Sequence, residues 1–160
     1  MFREDWLVIV NPNAGRRKAS DDWKTISALL VENNIPFRSI FTAHAEHAIR
    51  LTEAYIKKGF KNILAIGGDG TFNEVANGIL SQRRYPSKDI NMALIPVGTG
   101  NDWARMYGIP FSYQEAVALI KNANTKLQDA SVVHYYDGPR KKKRYIINNA
   151  GIGLDALVAK

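Results

Sequence analysis

Short apolar, β-branched runs alternate along this chain with segments of helical spacing, and that alternation restricts the fold more than any other feature. "WLVIV" (6–10) is continuously apolar, and in "WKTISALL" (23–30) Trp23, Ile26 and Leu30 share one helical face. "FRSIFT" (37–42) reads as a strand, and residues 45–58 as a helix through Ala48, Leu51 and Tyr55, stopped by Gly59. "NILAI" (62–66) is a third strand. Phe72, Val75, Ala76 and Ile79 then recur at i, i+3, i+4 and i+7, an amphipathic helix. "MALIP" (92–96) is the fourth strand, and a short helix follows through Trp103. "SYQE" (112–115) has the capping-box pattern and opens a helix over about 112–123. An order of βαβαβαβα implies a doubly wound α/β fold with a mostly parallel sheet and helices on its faces. Strands apolar throughout fit burial on both sides.

After residue 125 the pattern changes. Residues 126–136 and 144–149 read as the two strands of a hairpin. The expected organisation is an α/β domain over 1–128 and a β-rich segment over 129–160 that leads into a second domain absent from this chain. Residues 140–144, "RKKKR", concentrate five of the charges behind a net +7. They read either as a solvated hairpin tip between "YYDGP" and "YIINN" or as a contact with an acidic membrane. No aromatic residues interleave with the run, which argues against nucleic acid. With no cysteine, disulfides, thiolate metal sites and cysteine nucleophiles are excluded, and a reducing cytosol is the compatible compartment. No apolar run approaches the ~20 residues of a membrane helix. The start, "MFREDWLVIVNPNAG", does not have the pattern of a signal peptide.

The segments after the four strands carry the chemistry: "NPNAG" (11–15), "TAHAEHA" (42–48), "GGDGTFNE" (67–74) and "VGTGND" (97–102). Open α/β sheets bind ligands at the carboxyl ends of their strands. Each segment alone also fits a tight strand-to-helix turn, since glycine is permissive and Asn caps helices. Four on one edge point to a ligand. Backbone N–H groups at glycine turns and helix starts favour anions, and Thr42, Thr71, Thr99, Asn73 and Asn101 add polar groups. A nucleotide triphosphate is the expected ligand. Neither a Walker A loop nor a G-x-G-x-x-G fingerprint is present.

A carboxylate beside phosphates is repelled unless a cation intervenes or it has a proton to take. Phosphoryl transfer uses both services, so Asp69, with Asp102 and Asp129, points to a magnesium-dependent kinase. Asp102 reads equally as a helix N-cap and Asp129 as an exposed strand-edge acid. His44 and His47 lie at i, i+3 but lack an evident third metal ligand, and no G-x-S-x-G elbow exists.

Together "IVNPNAG", "GGDGTFNEVANGI" and "IPVGTGNDWAR" resemble the diacylglycerol kinase catalytic domain, in the branch of soluble bacterial lipid kinases that includes sphingosine kinases. The group is distantly similar to NAD kinases and phosphofructokinases. "GGDGT" alone would also fit NAD kinase, and "NPNAG" and "GTGND" favour the lipid side. The resemblance implies ATP- and Mg²⁺-dependent phosphorylation of a lipid alcohol such as diacylglycerol, by a cytoplasmic enzyme that can sit at the inner membrane face. It places the nucleotide site at Asn11, Asn13, Thr42, the stretch Gly67, Gly68, Asp69, Gly70, Thr71, Phe72 and Asn73, and at Gly98 and Thr99. It makes Asp69, Asp102 and Asp129 the essential acids, with Asp129 linked to magnesium held by the second domain. Asp155 falls on the acceptor side of some members. Where the family often has Gly-His-Ala, this chain has Glu46, His47 and Ala48, and Trp103 and Leu154 replace common phenylalanines. Members run to roughly two ordinary domains, so this chain alone is expected to be inactive. An NAD kinase with a soluble acceptor and a non-catalytic nucleotide- or lipid-binding module are the competing readings.

Overall fold

The computed structural model describes residues 3–98, 100–122 and 124–148. Four strands, β1 (Arg3–Val10), β2 (Phe37–Phe41), β3 (Phe60–Gly67) and β4 (Asn91–Pro96), form one parallel sheet in the order β2-β1-β3-β4. Between and after them run α1 (Lys18–Glu32), α2 (His47–Lys57), α3 (Asp69–Ser81), α4 (Asp102–Met106) and α5 (Tyr113–Lys121). A single 3₁₀ turn, Ser87–Asp89, precedes β4.

The continuous apolar runs bury both sides of the central strands, as period 2 requires. Leu7 and Ile9 of β1 and Ile63 and Ala65 of β3 face the layer of α2 and α3. Val8, Val10, Leu64 and Ile66 face the opposite layer, with Ile26 and Leu30 of α1 and Ala116 and Val117 of α5. Within the first layer α2 and α3 approach closely at Gly78. A Cβ there would lie 2.5 Å from the Thr52 Cβ and 2.8 Å from the Ile49 carbonyl oxygen. Ser112 caps α5, its Oγ accepting from the Glu115 N–H at 3.5 Å, as the capping-box pattern anticipates.

The hairpin differs from its sequence reading. Its strands are β5 (Ser131–Asp137) and β6 (Arg140–Ile146), antiparallel, and not bonded to the main sheet. The chain reverses in the two residues Gly138 and Pro139, with Gly138 at φ 58°. That early reversal places Arg140–Arg144 along the returning strand instead of at a tip. Residues 126–130 are irregular, and the Gln128 side chain within them is anchored at both ends: its Oε1 accepts from Trp103 Nε1 and its Nε2 donates to the Ile147 carbonyl. Asn77 of α3 holds β6 along its free edge, donating to the Tyr145 carbonyl at 2.8 Å and accepting from the Tyr145 N–H at 2.9 Å.

Candidate active site

The strand order reverses between β1 and β3, so the chain leaves these neighbours in opposite directions and a crevice opens between them. There the four segments after the strands surround an open cleft of about 670 Å³. Asn11 bridges the switch point: its Nδ2 donates to Thr71 Oγ1 at 2.9 Å, and its Oδ1 accepts from the Asn13 N–H at 3.1 Å. The Thr71 side chain lies over Gly67, where a Cβ would come within 2.6 Å of Oγ1. Gly15, at φ 61°, meets Gly98, at φ 127°, so closely that a Cβ on Gly15 would sit 3.2 Å from the Gly98 backbone. First and fourth segments therefore approach closely where these two glycines meet.

Asp69 occupies the junction of the third and fourth. Its Oδ2 accepts from the Asp102 N–H at 2.9 Å and its Oδ1 from the Trp103 N–H at 3.0 Å, the first two amides of α4. Asn101 turns the chain into α4 through a left-handed conformation, φ 57° and ψ 48°. It is buried, its Nδ2 donates to the Gly98 carbonyl at 3.0 Å, and its Oδ1 has no partner among the described residues.

Glu74 does for α2 what Asp69 does for α4. Its two oxygens accept from the Glu46 N–H at 2.9 Å and the Ala48 N–H at 3.2 Å. The helix start between them, that of α3, is left open. Its cap residue is Gly68, with no side-chain cap, and a Cβ on Gly70 would meet nothing within 4 Å. Carboxylates of this chain thus fill two helix starts, while a third faces the cleft with no side-chain cap among the described residues and a positive dipole end, the arrangement that holds an anion.

Of the residues expected at the site, Asn11, Asn13, Thr42, Gly68, Asp69, Gly70, Thr71 and Gly98 line the cleft. Gly67 lies beneath Thr71. Phe72 is buried against Trp103, ring centroids 4.3 Å apart, and serves the core. Asn73 is not on the lining; its Oδ1 is buried without a partner among the described residues. Asp102 is exposed at the head of α4, and Asp129 is exposed beside Gln128, whose bond to Trp103 brings it toward that same corner. Thr99, Leu154 and Asp155 lie outside the described residues. Among the described residues no group of three His, Asp or Glu is placed to hold a metal. The His44 and His47 rings stack at 4.6 Å, and His47 Nδ1 accepts from the Ala43 N–H.

Glu46 has a conformation that explains why glycine suits its position, φ 63°. Its carboxylate turns aside to Arg144 Nη1, 2.6 Å away. Among the lining residues that the sequence reading did not single out are two charged ones, Glu74 and Arg16. Glu74 was hidden because its work is with amides from another segment. Arg16 follows Gly15 into a run of three left-handed residues, φ 61°, 59° and 75° over Gly15 to Arg17, which brings its positive side chain to the cleft. A non-glycine residue in that region costs about 1–2 kcal/mol, and such strain gathers at functional sites.

The model of the diacylglycerol kinase catalytic domain matches residues 5–133. The chain belongs to that family. A diacylglycerol kinase of Bacillus subtilis (strain 168) is 31% identical over 146 residues, 91% of this chain and 45% of that protein. The diacylglycerol kinase of Staphylococcus haemolyticus (strain JCSC1435) is 30% identical over 146 residues, 91% of this chain and 41% of the other. In structure, a diacylglycerol kinase from Bacillus anthracis str. Sterne superposes with a TM-score of 0.68 at 30% identity, covering 82% of this chain and 44% of that one. The diacylglycerol kinase domain therefore spans half the length, or less, of the relatives it matches. Its cleft is built around "GGDGT" and joined to "NPNAG" and "GTGND", the three motifs that carried the resemblance.

Proposed function

We propose that this chain is the nucleotide-binding part of a lipid kinase that transfers the γ-phosphoryl group of ATP to the hydroxyl of diacylglycerol or a related lipid alcohol. The observation that carries the reading is the open start of α3 in the cleft, flanked by helix starts already occupied by Asp69 and Glu74. Phosphate oxygens fit there against the amides that follow Gly68. Gly70 leaves room for them, Asn11 and Thr71 fix the rim, and Arg16 supplies positive charge. The buried Oδ1 of Asn101, without a partner among the described residues, supports a donor on the ligand, as a nucleobase or ribose provides. Thr42, Asn13, Gly98 and Thr99 complete the proposed nucleotide site.

Among the described residues Asp69 gives both oxygens to amides and no three-acid cluster exists, so a magnesium ion would be held chiefly through the phosphates of the nucleotide and one or two carboxylates. Asp69, Asp102 and Asp129 are the proposed essential acids, with Asp69 setting the third and fourth segments against each other so that phosphates meet one fixed geometry. Residues 129–160 are proposed to lead into a second domain that completes the acceptor side, so the 160-residue chain alone turns over no lipid. No helix among the described residues is long and apolar enough to cross a membrane. A cytoplasmic location is proposed, with contact to acidic lipid through Arg140–Arg144.

The full-length protein, given γ-labelled ATP with dioleoylglycerol in neutral mixed micelles, is expected to label the lipid and to leave NAD unlabelled. Label on NAD instead would overturn the lipid assignment. Label on neither acceptor, with Asp69→Asn silent in cells, would favour a non-catalytic binding module.

A further inference from the structure

The five basic residues of β6 are not equivalent. Pairing of β5 with β6 puts directly opposed residues on one face: Asp137 with Arg140, Tyr135 with Lys142, and Val133 with Arg144. Two of the three cations on that face are paired. Lys142 pairs with Asp137, and Arg144 pairs with Glu46. The opposite face holds Tyr136 with Lys141, His134 with Lys143, and Val132 with Tyr145. Among the described residues no carboxylate pairs with Lys141 or Lys143. The Lys143 Nζ donates to Tyr145 Oη at 3.2 Å, a contact that leaves its charge intact. Exposure follows the same division: Tyr136 is 73% exposed against 38% for Tyr135.

We infer that this second face, Lys141 and Lys143 flanked by Tyr136 and Val132, is a docking surface for an acidic lipid bilayer. The inference rests on the lipid-kinase reading, which requires the protein to meet its acceptor at a membrane. Charge complementarity selects the occupant: uncompensated lysines attract anionic headgroups, and a tyrosine beside them suits the interfacial zone. Val132 adds an apolar contact. The first face and its Glu46–Arg144 pair instead hold the hairpin to the second segment of the cleft.

The test uses two charge-matched double variants of the full-length protein, Lys141→Gln with Lys143→Gln, and Arg140→Gln with Lys142→Gln. Both lower the net charge by the same amount, on opposite faces of one strand. Sedimentation with phosphatidylcholine vesicles containing phosphatidylglycerol, at physiological salt, reads the partition coefficient. The first pair is expected to lose about 30-fold, roughly fivefold per lysine. The second is expected to lose no more than about threefold, since charges aimed away from the surface are screened within about 8 Å. Equal losses would mean that total charge and not this face governs binding, and no loss in either would remove the hairpin from the contact; each overturns the inference. Turnover in neutral micelles separates the two readings. A double variant that sediments like wild type, from a protein that phosphorylates lipid in micelles, sinks the surface alone. A protein that binds vesicles through this face but phosphorylates no lipid sinks the kinase reading alone.

Discussion

Replacing Asp69 with alanine should destabilise the protein in the absence of any ligand. An acid that served only the chemistry would not do so. Removing such a group commonly leaves stability unchanged or raises it. Here the carboxylate accepts two backbone N–H groups, at 2.9 and 3.0 Å. A hydrogen bond to a charged group contributes about 1.5–3 kcal/mol. The bond to Asp102 is exposed and water can replace much of it, whereas the bond to Trp103 is partly buried. One full bond and a fraction of a second amount to about 2–3 kcal/mol. At about 2–4 °C per kcal/mol for a domain of this size, Tm should fall by roughly 5–10 °C. Asp69→Asn keeps one acceptor but turns an NH₂ toward the other donor, so it should recover less than half of the loss. Thermal melts without nucleotide or Mg²⁺ measure this directly, and hydrogen exchange at the Asp102 and Trp103 amides should accelerate in step. A Tm within about 1 °C of wild type, or above it, would refute the bracing role.

Gly70→Ala should separate stability from binding. The position is helical and its Cβ meets open space, so stability should rise by about 0.4–1 kcal/mol while ATP affinity by calorimetry falls at least about tenfold; unchanged affinity would move the phosphates elsewhere. Gly78→Ala drives a methyl into the Ile49 carbonyl and Thr52, and should cost about 1–3 kcal/mol in urea unfolding, with Thr52→Ala restoring only part because the carbonyl cannot yield. Glu74→Ala releases the Glu46 and Ala48 amides and should raise the KM for ATP more than it lowers kcat, with Glu74→Gln recovering part; an effect on kcat alone would contradict a positioning role. At the other face, the Tyr113 hydroxyl donates to Asp22 at 2.6 Å and Lys18 lies 3.3 Å from the same carboxylate. The Tyr113 bond, then Lys18, holds the Asp22 carboxyl below its usual range, while burial and the Asp22 bond push the Tyr113 phenol up. The Asp22 contribution is therefore present above about pH 4 and lost as pH falls through its lowered folded value, and the Tyr113 contribution is present below about pH 10 and lost as pH rises past it. Tyr113→Phe should flatten both flanks of the stability profile, and a variant with wild-type flanks would show that the pair is not the cause.

What the sequence exposes of this molecule is whatever depends on local periodicity. The four parallel strands and the face of α3 follow from runs such as "NILAI" and from Phe72, Val75, Ala76 and Ile79. The family was legible for a related reason, since three motifs in order carry more information than any single loop. The hairpin was legible only in outline. Its register is set by a two-residue reversal at Gly138 and Pro139, and a basic run is equally at home on a turn or on a solvated strand. Phe72 sat inside a ligand motif yet packs inward, because helical spacing from Asp69 turns it to the core. Glu74 acts on backbone amides of the second segment brought near only by the fold, and spacing alone cannot announce such partners.

Those same partners explain why a site for anions contains so many acids. An open α/β sheet gathers several helix starts on one edge, and each is a weak anion site. Left alike, they would offer phosphate several competing positions. Here Asp69 fills the start of α4 and Glu74 that of α2, both reaching from the single stretch that also builds the start of α3. Each carboxylate lies close to its own amides and costs little desolvation at an exposed rim, while its charge discourages a phosphate from settling there. One stretch of eight residues, "GGDGTFNE", thus opens one anion site and closes two neighbours. On this logic Asp69→Ala and Glu74→Ala each free a competing start, and phosphate binding should become weaker at α3 and less localised. A sharp single-site ATP isotherm in both variants would show that exclusion plays no part.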